Sequence, residues 1–245
     1  MQVRNSPQDS SPVTIPVKDG LSVSGLLDLP PAASALYVLA HGAGAGMRHT
    51  SMSALAQGLA ALGIAALRYQ FPYMERGAKR PDPPQLAQAT VRAAVAAALK
   101  LLPELPLIAG GKSFGGRMTS QAQAKAPLPG VCGLAFLGFP LHPGGRPSQD
   151  RAEHLFAVRI PMLFLQGTRD ELASLDQIKP LCNNLGSHTT LKVFEDANHS
   201  FHVPARSERK DAQVLGDVLD ALAVWLDEVI FEQASLGREC TNWDL

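Results

Sequence analysis

Apolar residues in this chain fall into short runs, and the runs are separated by longer stretches with helical spacing. Val13-Thr14-Ile15-Pro16-Val17 alternates and meets the turn signal Lys18-Asp19-Gly20, after which Leu21 to Leu29 reads as the returning strand of an opening hairpin. Leu36 to Ala40 predicts a strand, Ser51 to Leu62 a helix with apolar positions at Leu55, Leu59 and Leu62, and Ile64 to Arg68 another strand. Asp82 is placed to cap a helix that begins with Pro83 and Pro84 and runs to about Leu102, with Gln85 three residues on as in a capping box. Leu107 to Ala109 has strand character and runs into a glycine-rich turn, followed by a helix from Met118 to Lys125. Strands at Val131 to Leu137 and Met162 to Leu165 come next. A helix from about Leu175 to Leu185, a strand at Thr190 to Phe194 and a long helix from about Asp211 to Ala234 complete the pattern.

Strands alternating with helices imply a three-layer α/β fold: a mostly parallel sheet covered on both faces, with the N-terminal hairpin adding antiparallel strands. No internal repeat and no long linker divides the chain. The expected organisation is a flexible arm at 1–12, one domain over 13–236 and a loose tail at 237–245 in which Trp243 could dock. With 245 residues, of which 46% are hydrophobic, the chain has ample material for a core. The formal net charge is zero, so no global field recruits nucleic acid or an anionic membrane. Cys132, Cys182 and Cys240 are scattered and odd in number, which suggests neither a disulfide framework nor a zinc cluster. The polar N-terminus lacks an apolar signal region, and no run approaches a membrane span, so a cytoplasmic location is expected.

The glycine-rich turn carries the chemistry. Gly111-Lys112-Ser113-Phe114-Gly115 is Gly-x-Ser-x-Gly at a strand-to-helix junction. A serine there must take a strained backbone conformation to present its Oγ, and the flanking glycines remove side chains that would clash. The amide of Phe114 then points to where an oxyanion would form. A P-loop reading would need glycine where Pro106 stands, and it fails. The plain alternative is a Gly-Ser turn without chemistry.

Three other loops follow predicted strands. His41-Gly42-Ala43-Gly44-Ala45-Gly46 offers backbone amides, with Ala43 the candidate second oxyanion donor and His41 expected to fix the loop. Gln166-Gly167-Thr168-Arg169-Asp170 offers an acid, with Glu171 and Asp176 weaker alternatives. Glu195 to His202 offers a base, His199 being preferred over His202 because it is nearer the strand end. A serine hydroxyl needs a base near neutrality to act as nucleophile, and a carboxylate on the far ring nitrogen fixes the imidazole tautomer. His199-x-x-His202 lacks a third ligand at zinc-like spacing, so no metal is expected. The Gly42-x-Gly44-x-Gly46 run would need its last glycine where Met47 stands to match a dinucleotide fingerprint, so no cofactor is expected either.

Taken together, these segments resemble the α/β-hydrolase superfamily, whose triad order is Ser, acid, His, and specifically its dienelactone-hydrolase-like branch. The resemblance extends to small predicted hydrolases related to testis-expressed hydrolase-like proteins. It rests on His41 to Gly46, on Arg68-Tyr69-Gln70-Phe71-Pro72-Tyr73-Met74-Glu75-Arg76-Gly77, on Gly111 to Arg117, on Phe139-Pro140-Leu141-His142-Pro143, on Gly167 to Asp170 and on Asp196 to Phe201. It implies a nucleophile at Ser113, an acid at Asp170 and a base at His199. Dienelactone hydrolases usually carry cysteine where this chain has Ser113, which argues against dienelactone itself as substrate.

The expected function is a carboxylesterase-like serine hydrolase acting on a small acyl compound, as a monomer or homodimer. A catalytically silent binding or scaffolding module on the same fold is the rival. Gly42, Gly44, Phe71, Tyr73, Met74, Lys112, Phe139, His142 and His202 are the candidate substrate-pocket residues. The connection from 139 to 160 is rich in Pro and Gly, with one short helical piece near Glu153 to Val158, so no large lid is expected. Lys112, Arg117, Arg169, Arg48 and Arg76 fall near the loops, and an anionic substrate is the alternative they leave open.

Overall fold

The computed structural model describes residues 10–146, 148 and 150–235. Strands β1 (Ser11–Lys18) and β2 (Leu21–Asp28) form the antiparallel hairpin. There follow β3 (Ala35–Ala40), α1 (Thr50–Ala61), β4 (Ile64–Tyr69), the short α2 (Pro72–Glu75) and α3 (Pro84–Leu101). Then come β5 (Leu107–Lys112), α4 (Phe114–Lys125), β6 (Val131–Leu137) and a 3-10 turn at Glu153–Ala157. The chain continues through β7 (Met162–Arg169), α5 (Leu175–Leu185), β8 (Thr189–Asn198) and α6 (Asp211–Ser235).

The eight strands lie in the order β1-β2-β4-β3-β5-β6-β7-β8. β2 pairs antiparallel with β1 and β4, and every other neighbouring pair is parallel. Every residue of β3, β4 and β6 is buried, as continuous apolar runs require when both faces are covered. Alternation divides their side chains between two cores. Leu36 and Val38 join the core under α3 and α4, while Tyr37 and Leu39 face the one under α1 and α6.

Three expectations are corrected. Ser11 and Pro12 belong to β1 rather than to an arm, and Ser10 Oγ donates to Asp28 at 2.6 Å. Residues 1–9 and the predicted tail at 237–245, with Trp243, lie outside the described residues. Asp82 does not cap α3: the flanking residue is Pro83, and the Asp82 carboxylate instead accepts from the Tyr73 amide and from Arg76, each at 2.8 Å. A buried acid with two donors in the 71–76 segment is better satisfied there than at a helix start that already opens on prolines.

The third correction positions the site. β7 and β8 extend four residues beyond the strands that apolar content predicts. Gln166 pairs with Val193, Gly167 with Phe194 and, past an irregularity, Arg169 with Asn198. These extensions are polar, so they read as loop. They are strand because they continue the ladder between β7 and β8, and Thr168 Oγ1 accepts from the Asp196 amide at 2.9 Å. The two extended strands end side by side, at Asp170 and His199.

Candidate active site

Ser113 sits between β5 and α4 with φ 49° and ψ −113°, a conformation that L-residues avoid and that persists only where the surroundings impose it. The surroundings here are β3 and β6. Gly111 has φ 140°, and a Cβ on it would run into the Ala40 backbone. A Cβ on Gly115 would lie 2.6 Å from both the Ala40 Cβ and the His41 carbonyl. The elbow is therefore pressed against β3 at both glycines, and the Ser113 amide donates to the Leu137 carbonyl of β6 at 3.1 Å.

From this turn the Ser113 Oγ lies 2.8 Å from His199 Nε2. His199 Nδ1 lies 2.7 Å from Asp170 Oδ2. With the carboxylate accepting at Nδ1, the ring proton is there, and Nε2 presents its lone pair to the serine hydroxyl. The Asp170 side chain is fully buried. Its Oδ2 also accepts from the Gln166 side chain at 2.6 Å, and its Oδ1 from the Leu172 amide at 2.8 Å. Gln166 is a participant that pattern reading missed. A glutamine in a fully buried strand position is the signal that could have found it, because such a side chain must have polar partners. Its Oε1 accepts from the Phe139 amide at 3.1 Å, tying the β6 exit to the acid.

The His199 loop is set by its own backbone and by Lys112. Asn198 Oδ1 accepts from the amides of Ser200 and His202, at 2.8 Å and 3.1 Å. Lys112 Nζ donates to the His199 carbonyl and lies 5.3 Å from the Phe201 ring centroid. Burial pushes the Lys112 ammonium down to about 8, against the raising effect of the Asp170 charge. Gly138, at φ 67°, leaves the space that Lys112 and His199 occupy: a Cβ there would sit 2.9 Å from Nζ and 3.2 Å from the imidazole Nδ1.

Phe114 is the first residue of α4, so its amide has no intrahelical acceptor. The loop after β3 passes the same place, since a Cβ on the buried Gly42 would lie 3.7 Å from the Ser113 Cβ. His41 holds that loop. Its Nδ1 donates to the Gly42 carbonyl at 2.8 Å, and Nε2 accepts from the Phe71 amide at 3.1 Å. Burial pushes its pKa down to about 4, so the ring is neutral. Ala43 and Gly44 are exposed, and the Gly44 amide points at the Tyr73 hydroxyl at 3.4 Å.

Several expected pocket residues are placed elsewhere. Phe71, Tyr73 and Phe139 have no exposed surface and pack behind the loops, because aromatic rings at strand exits gain more from core contact than from facing water. His142 is buried, with its ring nitrogens at the Pro143 carbonyl and the Gln177 side-chain amide, each 2.9 Å away. His202 is exposed and pairs with Asp211 at the start of α6. Met74 is half-buried beside Gly46. Of the basic residues, Arg76 is paired with Asp82, and Arg48 and Arg169 are exposed. No group of three or more His, Cys, Asp or Glu side chains among the described residues could hold a metal ion, and no helix among them is long and apolar enough to cross a membrane.

The model of a family described as an alpha/beta hydrolase domain matches residues 33–227. Solved structures share the fold. A lid-less α/β serine hydrolase from Xanthomonas campestris is 23% identical with a TM-score of 0.68, the match covering 90% of this chain and 96% of that one. A dienelactone hydrolase from Anabaena variabilis is 19% identical with a TM-score of 0.73, covering 91% and 99%. An α/β serine hydrolase homologue from Coxiella burnetii is 19% identical with a TM-score of 0.69, covering 91% and 100%.

Proposed function

The chain belongs to the α/β-hydrolase family, and on that premise we propose that it is a serine hydrolase cleaving small carboxylic esters or related acyl compounds. One observation carries the reading: an unbroken hydrogen-bonded line from a strained, glycine-flanked serine through His199 to a fully buried carboxylate.

Ser113 Oγ attacks the carbonyl carbon as His199 Nε2 takes the hydroxyl proton, and Asp170 stabilises the resulting imidazolium. The carbonyl oxygen becomes an oxyanion held by the amides of Phe114 and Ala43, each such donor lowering the barrier by roughly 3–4 kcal/mol. The bond to the leaving oxygen then breaks, and His199 returns its proton to the departing alcohol. Water attacks the acyl-serine with His199 again accepting the proton. The acid leaves and Ser113 is restored. No metal or organic cofactor is needed for any of these steps.

Among the described residues of the 139–160 connection the helical element is a single 3-10 turn, which supports a site without a large lid. Acyl groups of about two to four carbons are therefore expected to be preferred, since extra methylenes would gain about 0.8 kcal/mol each only if buried. A p-nitrophenyl ester series checks this, and activity rising steadily to eight or ten carbons would refute it. Covalent labelling by a fluorophosphonate tests the function itself: the purified chain should label, and Ser113→Ala should not. Absence of labelling in the parent protein would favour the binding-module reading.

A further inference from the structure

Two arginines in this protein are withdrawn from water in different ways. Arg68, on β4, spends all of its donors: Nε and Nη2 on the Asp28 carboxylate, Nη2 also on Ser10 Oγ, and Nη1 on the Met47 carbonyl and Ser53 Oγ. Among the described residues, Arg117, in the first turn of α4, has no carboxylate within ion-pair distance, and its buried Nε has no hydrogen-bond partner. Native folds rarely leave a buried donor so, least of all on a permanent cation.

A second cation stands beside it. Burial first, and then the charge of Arg151, push the Arg117 guanidinium down to about 10. Arg151, half-buried just before the 3-10 turn, is itself lowered by burial. His154 is close by, its Nε2 at 2.7 Å from Ser120 Oγ on α4. Burial, followed by the Arg117 charge, holds it down to about 4, so it is neutral and adds no charge. Asp150 and Glu153 flank Arg151 along the chain, yet neither pairs with either arginine within 4.0 Å. Two like charges, each only partly exposed and with no acid paired to either among the described residues, describe half of an ion-binding arrangement.

The position of Arg117 along α4 brings it close to the proposed nucleophile. Helical side chains lean toward the N-terminus of their helix, so Arg117 leans back over Phe114. Its Cζ is 6.0 Å from that ring's centroid, and its amide donates to the Ser113 carbonyl at 3.1 Å. The guanidinium stem thus starts one helical turn, about 5.4 Å, from the nucleophilic residue.

We propose that Arg117 and Arg151 form an oxyanion-binding subsite beside Ser113, so that the preferred substrate carries a carboxylate or phosphate group a few bonds from the scissile carbonyl. This rests on the hydrolase reading above. A planar fork of donors suits either anion, and it gives a site without a lid a means of selecting substrate that does not depend on enclosure.

The test uses the full chain and three methyl esters of similar length: monomethyl glutarate, methyl 4-phosphonobutanoate and neutral methyl pentanoate, followed by pH-stat. One of the anionic esters should exceed the neutral one in kcat/KM by about tenfold or more, and which one does assigns the anion. Arg117→Gln and Arg151→Gln should each cut that ratio by about fivefold or more, with Arg117→Lys retaining part of it. A parent ratio at or below unity, or a ratio that neither substitution moves, would overturn the proposal. Arg151 is on the surface segment, so its variant remains informative if the Arg117 variant does not fold. Should no ester be hydrolysed and Ser113 not label, the hydrolase reading fails, and the subsite is read by binding alone. Glutarate or inorganic phosphate should then raise the Tm saturably over sodium chloride of equal ionic strength, an effect lost in Arg151→Gln. No such rise would refute the subsite as well.

Discussion

Two histidines three residues apart in this chain each pair with an aspartate, and by distance alone the two pairs are the same object. His199 Nδ1 meets Asp170 at 2.7 Å, and His202 Nδ1 meets Asp211 at 2.8 Å. Their surroundings differ. The side chains of the first pair are 22% and 0% exposed, those of the second 63% and 58%. Asp170 has two further donors in Gln166 and the Leu172 amide, and His199 has Ser113 on its other nitrogen and Lys112 on its carbonyl. Asp211 has the Val203 amide, and the pair ties the β8 exit to the start of α6. A hydrogen bond between imidazole and carboxylate is therefore no sign of catalysis. On the proposed function, desolvation, which strengthens the interaction, and the serine on the far nitrogen make the difference.

Breaking the pairs separately should expose that difference most strongly. His199→Ala should lower kcat/KM for a p-nitrophenyl ester by roughly a thousandfold or more, and His202→Ala by no more than about threefold. If the losses came out reversed, the base would be His202.

Lys112 is part of what the second pair lacks. Lys112→Met removes the donor that holds the His199 carbonyl, and about a tenfold fall in kcat with little change in KM is expected. Lys112→Arg should recover part of it, because the cation is kept. Equal loss in both variants would mean that the lysine only fills space.

A third histidine extends the comparison to stability. His41 is buried and pushed down to about 4 from an ordinary 6.5. Its folded pKa lies below the unfolded one, so the unfolded chain takes up a proton first as the solution is acidified. The stabilisation is complete above pH 6.5 and is lost between there and pH 4, by an amount of the order of 3 kcal/mol. His154, lowered for the same reason, adds to the loss in the same window. Urea unfolding from pH 7 to 4.5 should show this slope in the parent protein and, unaltered, in His202→Ala. A flat profile would refute the burial of His41.

The smallest effect belongs to the exposed pair. Hydrogen bonds from His202 and then from the Val203 amide hold the Asp211 carboxyl below its ordinary value. That contribution is present above pH 3.8 and fades as pH falls through the lowered value. Water screens it, so Asp211→Asn should cost no more than about 1 kcal/mol in urea unfolding at pH 7, and activity should be kept. A larger loss would mean that the pair anchors α6 to a degree its exposure does not suggest.

The primary structure by itself determined the layers of the fold and the elbow. Continuous apolar runs such as Leu36 to Ala40 can be satisfied only by a sheet covered on both faces, and glycines on either side of Ser113 are what a sharp strand-to-helix turn requires. These are local demands, written in local residues. The ends of β7 and β8 were not legible, because their polar residues become strand only by pairing with residues nearly thirty positions away, as Arg169 does with Asn198. The same holds for Gln166 beside Asp170, Lys112 on the His199 carbonyl and Asp82 drawn away from its helix to Tyr73. Spacing alone also left Phe71 and Phe139 as pocket candidates, whereas both are fully buried in the core. Which polar group meets which, and which ring faces water, depends on what the rest of the chain brings to the same place, and only the tertiary structure decided it.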